Sequence, residues 1–157
     1  MTTLEQQNTK TPKFSLDGKI YLAKCVKCYD ADTIHAVIKF HDTYTRFCCR
    51  LLGIDTAEIR SRDPEEKIYA RGSRDYLRDL ILDKFIIIKC GNFDKYGRLL
   101  IHLYTTTQQK ETDQTPEIEM EKLTWETSVN QKLVTDGHAY QYGGGTKRKF
   151  KDWVPSN

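Results

Sequence analysis

The amino-acid sequence predicts an α+β domain built on a five-stranded Greek-key β-barrel of the OB type. Five short segments are enriched in β-branched and aromatic residues, a helical pattern follows the third of them, and a second helical pattern lies near the end of the chain. The 157 residues suffice for one domain with a substantial core. This order of elements fits a small barrel with two to three helices.

Alternating or continuous apolar residues mark the five strands. We expect the strands at residues 20–29, 34–40, 47–54, 85–88 and 99–104. A turn is expected at 41–43 and a loop at 94–98. The third strand ends in a strongly apolar run, which predicts that it is buried on one or both sides.

The first helix is predicted to begin at Asp63, because a capping Asp is followed by Pro64 and two acidic residues. Its apolar residues recur every three to four positions and predict one buried face; they are Tyr69, Tyr76, Leu77, Leu80 and Ile81. Gly72 lies within this pattern and leaves a start nearer Ala70 as an alternative.

The second helix is predicted between a capping-box start at Ser128 and a stop at Gly137. We divide the whole chain into a polar lead-in, one domain and a basic C-terminal segment, at residues 1–14, 15–142 and 143–157. Residues 105–127 carry a net charge of −4 and are interpreted as an acidic insertion loop, in which residues 105–116 are predicted to be loop or disorder.

The composition is that of an ordinary globular protein, with 38% hydrophobic and 30% charged residues. The net charge of +3 predicts a mild attraction to polyanions, far weaker than that of a nucleic-acid packaging protein. No stretch is apolar enough to span a membrane, and the N-terminus lacks the apolar core of a secretory signal. We therefore expect an intracellular protein, in the cytoplasm or the nucleus of the host cell.

The chain has five cysteines, which is an odd number, and its N-terminus does not resemble a secretory signal. Both observations favour reduced thiols over a disulfide framework. Cys25 and Cys28 have the spacing of half a zinc site, but no second pair completes it. Residues three apart on a regular strand also point to opposite faces. Buried thiols are therefore the preferred interpretation.

Three short motifs concentrate charged residues at the ends of predicted strands, where charge is easily solvated and aimed at a ligand. They are DADT at 30–33, RLLGIDTAE at 50–58 and DKYGR at 94–98. In this order and at these separations they resemble the active-site signature of the staphylococcal-nuclease (thermonuclease-like) family, and the resemblance covers residues 18–142.

Two positions depart from the family pattern: Ala31 replaces a glycine and Ala57 a proline. Ala31 would be strained if its turn required a positive φ.

The resemblance implies a Ca²⁺-dependent nuclease that hydrolyses DNA and RNA with little sequence preference and leaves 3′-phosphate ends. It implies that Asp32, Asp55 and the backbone carbonyl of Thr56 hold the metal, with Asp30 as a neighbouring carboxylate. Hard oxygen ligands of this kind suit Ca²⁺. Spacing alone favours the alternative that these aspartates are turn residues, because short Asp motifs are common in turns; the family resemblance reverses that preference.

The family pattern also assigns roles to Arg50, Arg98 and Glu58, and it matches Lys95 and Tyr96 to positions that touch a substrate phosphate. Arg50 and Arg98 would clamp the phosphate, because a planar guanidinium can bind two phosphoryl oxygens, although surface ion pairs are the common alternative for arginine. Glu58 would act as the general base or would organise the water and nearby loops. Candidates for contact with the nucleic acid are Lys95, Tyr96, Tyr140, Tyr142, Lys147, Arg148 and Lys149.

Two expectations remain open for the C-terminal part of the sequence. Tyr140 and Tyr142 either flank a nucleotide, as aromatic rings do in single-strand binding, or pack in the core. The basic segment either follows the phosphate backbone, which we favour slightly, or packs its aromatic residues against the barrel. The stretch GGGTKRK at 143–149 resembles one found in some nuclease-like proteins of large DNA viruses and phages, a hint of origin.

Two rival functions use the same fold. One is a catalytically silent nucleic-acid-binding or scaffold module, and the other is a simple OB-type single-strand binder. The enzyme is preferred because the chain keeps the carboxylates and arginines that silent domains usually lose. We expect a monomer whose partner is DNA or RNA, without a membrane or an obligate protein partner.

Overall fold

The computed structural model describes residues 2–111 and 120–154. The seven strands are β1 (Ile20–Cys28), β2 (Thr33–Phe40), β3 (Thr43–Leu51), β4 (Ile54–Asp55), β5 (Phe85–Phe93), β6 (Leu99–Thr105) and β7 (Tyr140–Gln141). The helices are α1 (Pro64–Ile81), α2 (Val129–Thr135) and α3 (Phe150–Trp153), with 3₁₀ turns at Leu4–Gln6 and Met120–Lys122. No helix among the described residues has the length and apolar character needed to cross a bilayer.

Five strands form a closed barrel in the order β1-β2-β3-β6-β5, which confirms the predicted fold class. All neighbouring strands are antiparallel except β3 and β6, which are parallel. The barrel encloses one hydrophobic core of aliphatic side chains and cysteines, with α1 and α2 packed against it. The two short strands β4 and β7 pair with each other outside the barrel.

The third strand differs from its predicted bounds of 47–54. It begins earlier, at Thr43, because His41 and Asp42 adopt positive φ angles of 49° and 62° and form a two-residue hairpin turn. It ends at Leu51, because Gly53 has a φ of 77° and redirects the chain into β4. Asp55 is therefore carried out of the barrel to the partner strand β7.

Both helix starts agree with the prediction. The Asp63 side chain accepts a hydrogen bond from the amide of Glu65, so α1 begins at Pro64 and continues through Gly72. The alternative start near Ala70 is wrong. At α2 the Ser128 side chain accepts a hydrogen bond from the amide of Gln131, which confirms the N-cap, but the Gln131 side chain bonds to Thr135 and does not complete the predicted capping box.

A β-bulge in β1 changes the expected orientation of its cysteines. Cys25 is opposite Ala36 on β2, but the next pair is Lys27 with His35, so the register shifts. Cys25 and Cys28 consequently both point into the core, with their sulfur atoms 3.7 Å apart. The expectation that they face opposite sides is wrong. The described residues nevertheless contain no group of three metal-ligating side chains.

The buried side chain of Asn130 attaches α2 to the barrel. Its Oδ1 accepts a hydrogen bond from the Leu103 amide at 2.9 Å, and its Nδ2 donates to the carbonyl oxygens of Leu52 at 2.8 Å and Ile101 at 3.2 Å. Leu52 lies in the turn that leads from β3 to β4. Asn130 therefore supports the point at which the chain leaves the barrel.

We expect Asn130→Ala to lower the free energy of unfolding by about 2–4 kcal/mol, because the Leu103 amide and the Leu52 carbonyl lose this partner, whereas the Ile101 carbonyl still accepts from the Leu52 amide. Urea unfolding measures this change. Gln131→Ala is the matched control, because within the described part of the chain that side chain bonds only to Thr135 at the surface, so its loss should cost less than about 0.5 kcal/mol. Equal effects of the two substitutions would contradict the role given to Asn130.

Candidate active site

A cleft of about 810 Å³ lies where β3 ends and the chain turns into β4. It is lined by residues from all three sequence motifs and by the glycine-rich start of the C-terminal segment. The predicted site residues that line it are Asp30, Asp32, Arg50, Asp55, Thr56, Glu58, Lys95, Tyr96, Arg98, Tyr142 and Lys147. The fold thus brings together groups that are up to 117 positions apart in the sequence, from 30 to 147.

The turn that carries Asp32 tolerates the departure from glycine. Within the described ranges, the non-glycine residues with positive φ are His41, Asp42 and Asp83, so Ala31 is not strained. The turn is closed by the Asp30 side chain, whose Oδ1 accepts a hydrogen bond from the Asp32 amide at 3.0 Å.

Two buried carboxylates converge on one nitrogen atom of Arg50. Asp32 is 6% exposed and Asp55 is 4% exposed. Their nearest oxygens lie 3.3 Å and 3.5 Å from Nη2 of Arg50. Asp32 also accepts hydrogen bonds from the hydroxyls of Thr33 at 3.0 Å and Thr56 at 3.1 Å, so each of its oxygens has a partner.

The Arg50 guanidinium is held by the backbone as well as by the acids. Nη1 donates to the carbonyl of Leu51 at 2.6 Å, and Nη2 donates to the carbonyl of Ile54 at 2.9 Å. These carbonyls flank the turn between β3 and β4. The side chain is therefore fixed within the cleft and does not form a mobile surface ion pair.

Asp30 lies beside this cluster and differs from the other two aspartates. Burial, reinforced by the neighbouring charge of Asp32, raises the pKa of Asp30 to about 8. At neutral pH its carboxyl group consequently tends to keep its proton. Asp30 thus adds less negative charge to the cleft than its formal charge suggests.

The loop between β5 and β6 presents two cations around an exposed ring. Arg98 bonds through Nε to Asp94 at 2.8 Å, and its guanidinium carbon lies 5.5 Å from the ring centre of Tyr96. The Lys95 ammonium lies 5.2 Å from the centre of the same ring, and the Tyr96 residue that carries this ring is 72% exposed. This arrangement leaves a positively charged aromatic surface at the rim of the cleft.

Tyr140 has a different place from the one the sequence suggested. Its ring is buried, and its hydroxyl donates to Oδ2 of Asp55 at 2.7 Å and accepts from the Arg148 amide at 3.0 Å. Burial, together with the hydrogen bond to Asp55, raises the pKa of Tyr140 to about 12, so the hydroxyl remains a donor. The ring has no free face for a nucleotide base, and the stacking expectation for Tyr140 is corrected to a positioning contact.

Tyr142 is half-buried, lines the cleft and donates its hydroxyl hydrogen to the carbonyl of Gly145 at 2.5 Å. This bond closes the glycine-rich segment 143–145 on itself, in which Gly144 and Gly145 have φ angles of 113° and 82°. The next residue but one, Lys147, is thereby turned back towards the carboxylates.

The basic C-terminal segment is divided between the two predicted roles. The Lys147 ammonium lies 3.5 Å from Asp55 and 3.6 Å from Glu58, whose own side chain is 61% exposed. Arg148 stacks on the Tyr140 ring with its guanidinium carbon 5.2 Å from the ring centre. Lys149 is exposed and lies outside the cleft lining.

The aromatic residues of this segment pack against the domain. Phe150 and Trp153 contact the ring of Tyr69 on α1, with ring centres 5.4 Å and 6.0 Å apart. Trp153 also lies 5.0 Å from Tyr140. The segment 147–153 is thus docked on the described domain, which favours the packing interpretation over the slightly preferred free tail.

The comparison with family models found one match. Residues 48–153 fit the model described as "Staphylococcal nuclease homologue". The chain belongs to this family. The matched part contains Arg50, Asp55, Glu58 and Arg98 of this staphylococcal nuclease homologue, whereas Asp30 and Asp32 precede it. No curated protein matched the sequence.

The donor set of the cleft suits a hard divalent cation. Asp32 and Asp55 direct buried carboxylate oxygens at one point, where they form ion pairs with Arg50, and Asp55 also with Lys147. Carboxylate oxygens are hard ligands, which favour Ca²⁺ or Mg²⁺ over softer metals. The residues of this nuclease homologue therefore fit the metal that its family typically uses.

We expect Tyr140→Phe to lower the free energy of unfolding by about 1–3 kcal/mol, because Asp55 and the Arg148 amide both lose a buried partner. Hydrogen exchange at the Arg148 amide should become faster, which NMR can follow. Tyr142→Phe is the matched control, since its hydroxyl bonds only to Gly145 within the described residues. Unchanged exchange at Arg148 would contradict the anchoring role of Tyr140.

Proposed function

We propose that this chain is a Ca²⁺-dependent nuclease that hydrolyses the phosphodiester bonds of DNA and RNA and leaves 3′-phosphate ends. The observation that carries this proposal is the convergence of two buried carboxylates, two arginines and one exposed glutamate in a single cleft. A phosphodiester is an anion that repels nucleophiles, so its hydrolysis needs charge neutralisation, alignment and an activated water.

Asp32, Asp55 and the backbone carbonyl of Thr56 are the proposed metal ligands. A Ca²⁺ ion bound there would supply Lewis-acid polarisation of a phosphoryl oxygen. The hydroxyls of Thr33 and Thr56 orient the Asp32 carboxylate, and the Tyr140 hydroxyl orients that of Asp55. These hydrogen bonds support the assignment, because metal-ligating carboxylates are usually fixed by such partners.

The arginines are proposed to bind the phosphate from two sides. Arg50 is rigid and lies beside the carboxylates. Its side-chain entropy is therefore lost on folding and not on binding of the phosphate. Arg98 is more exposed and is held by Asp94 at the rim. Together they can neutralise the extra negative charge that develops on a five-coordinate phosphorus.

Glu58 is the proposed acceptor for the proton of the attacking water. Its exposure allows a water molecule to reach it, and its carboxylate lies at the open side of the cleft beside Lys147. Two roles remain compatible with this position: proton acceptor, or a group that holds the water in line. Lys95, Tyr96 and Tyr142 line the same cleft and are proposed to contact the substrate.

Lys147 is proposed to act as a tethered cation that the metal must displace. Its ammonium contacts both Asp55 and Glu58, and the glycine-rich segment before it allows the chain to turn back. This contact also favours the rival function in one respect, because a carboxylate neutralised by lysine needs no metal. A catalytically silent nucleic-acid-binding module is therefore the second candidate.

Cleavage of a labelled single-stranded oligonucleotide decides between the two candidates. The enzyme should need Ca²⁺ at about millimolar concentration and stop in chelator. Asp32→Ala and Asp55→Ala should each lower the rate by at least about 100-fold. Asp79→Ala, which removes an exposed acid from α1, is the matched control. Full activity in chelator would exclude the metal, whereas nucleic-acid binding without cleavage would support the silent module.

We expect Lys147→Gln to raise the Ca²⁺ affinity of the protein by up to about fivefold, because a competing cation is removed from Asp55. Calorimetric titration with Ca²⁺ measures this change without any substrate. Lys149→Gln is the matched control, as it removes the same charge two residues away and outside the cleft lining. Equal affinities of the two variants would remove Lys147 from the account of the metal site.

A further inference from the structure

The outer face of the barrel continues from the cleft as a row of basic side chains. Arg50 on β3 is paired with Thr33 on β2, and both face the cleft. Two positions further along, Cys48 is paired with His35, and His35 with Lys27 on β1. Because side chains alternate along a strand, these residues share the outer face with Arg50.

The next row of the same face contains two more cations. Arg46 on β3 is paired with Val37 on β2, and Val37 with Lys24 on β1. We call Lys24, Lys27, His35 and Arg46 the basic track. Successive rows are about 7 Å apart at the usual rise of a strand, so the track extends about 13 Å from Arg50.

The β-bulge of β1 creates this track. In a regular strand Lys24 and Lys27, three positions apart, would lie on opposite faces. The extra residue between Cys25 and Lys27 restores the outward direction of Lys27 while both cysteines stay inside. Bulges commonly re-aim side chains next to functional sites.

The charges of the basic track are not neutralised by the described part of the chain. Lys24, Lys27 and Arg46 are exposed, and none forms an ion pair within residues 2–111 and 120–154. Arg74 and Arg78 on α1, by contrast, both pair with Asp75. Three adjacent cations without partners repel one another, and an anionic ligand would relieve this repulsion.

His35 adds an unpartnered polar group to the middle of the track. Its Nδ1 is buried and has no hydrogen-bond partner among the described residues, which is rare for a buried polar atom. Burial lowers the pKa of His35, and Arg46 and Lys27 lower it further. The ring is therefore neutral at pH 7 and adds polarity but no charge to the track.

We propose that the basic track binds the sugar-phosphate backbone of a single-stranded nucleic acid on one side of the phosphate held in the cleft. The track is three strands wide, about 10 Å, which fits one extended backbone. At the cleft, the exposed Tyr96 ring between Lys95 and Arg98 offers a stacking surface for an unpaired base. That the bound strand runs from the track into the cleft rests on the proposed nuclease function. The binding of the strand to the track does not depend on that function.

The track then selects the substrate by length and strandedness. A segment of several nucleotides reaches both the cleft and the track, whereas a dinucleotide reaches only the cleft. A duplex has two backbones, whereas the width of the track fits only one. The protein should therefore prefer single strands of several nucleotides to both.

Salt-dependent binding tests the charges of the track. Fluorescence anisotropy of a labelled twelve-nucleotide DNA is measured in chelator, so that cleavage plays no part. Lys24→Gln, Lys27→Gln and Arg46→Gln are combined in one variant. Loss of three phosphate contacts should lower the slope of log affinity against log salt by about 2, at ~0.7 per contact. The gain in affinity from four to twelve nucleotides should also disappear.

A second triple variant, Lys19→Gln, Arg71→Gln and Lys89→Gln, is the matched control. It removes the same three charges from other parts of the surface, and circular dichroism verifies that both variants are folded. The control should keep the slope and length dependence of the original protein. If the slope of log affinity against log salt is equal in the two triple variants, the effect is one of net charge alone. That result would overturn the proposal that the track binds the backbone.

Cys48 gives a local readout of the same face in the unmodified protein. It is half-buried on the track between Arg50 and Arg46, while the other four cysteines are buried. Bound twelve-nucleotide DNA or RNA should slow alkylation of Cys48 by iodoacetamide at least about threefold, and duplex DNA should slow it less. Binding without protection of Cys48, or equal protection by duplex, would overturn the proposal. These outcomes are independent of whether the protein cleaves its ligand.

Discussion

The site depends on the guanidinium of Arg50. Two carboxylates as buried as Asp32 and Asp55 would repel each other strongly without a cation between them. Arg50 supplies that cation, and the carbonyls of Leu51 and Ile54 hold it where the chain leaves the barrel. One side chain therefore holds the turn between β3 and β4 and balances part of the buried negative charge of the cleft.

The barrel topology brings the remaining groups to Arg50. The parallel pairing of β3 with β6 places Leu100 opposite Arg50, so the loop that ends at Arg98 reaches the same cleft. The pairing of β4 with β7 places Tyr140 beside Asp55, and the docked segment after it returns Lys147 to the carboxylates. Each contact joins parts of the chain that are distant in sequence, which explains why local patterns do not predict them.

The bulge in β1 places cysteines on the inner face of the strand and lysines on its outer face. Inside the barrel, Cys25 and Cys28 pack together as thiols. Outside, Lys24 and Lys27 lie on the face that continues from Arg50. One inserted residue thus supports core packing and aligns positive charge next to the cleft, at the expense of a regular ladder.

The sequence by itself determined the family, the barrel class, the helix starts and the side chains that could do chemistry, because short motifs and capping residues encode local chemistry directly. Arg50, Asp55, Glu58 and Arg98 could be named for that reason. The tertiary structure alone decided that Tyr140 is buried against Asp55, that Lys147 enters the cleft and that Lys27 points outward. Those outcomes depend on a bulge, a positive-φ glycine turn and long-range strand pairing, which are set by packing across the whole barrel and leave no local pattern in the sequence.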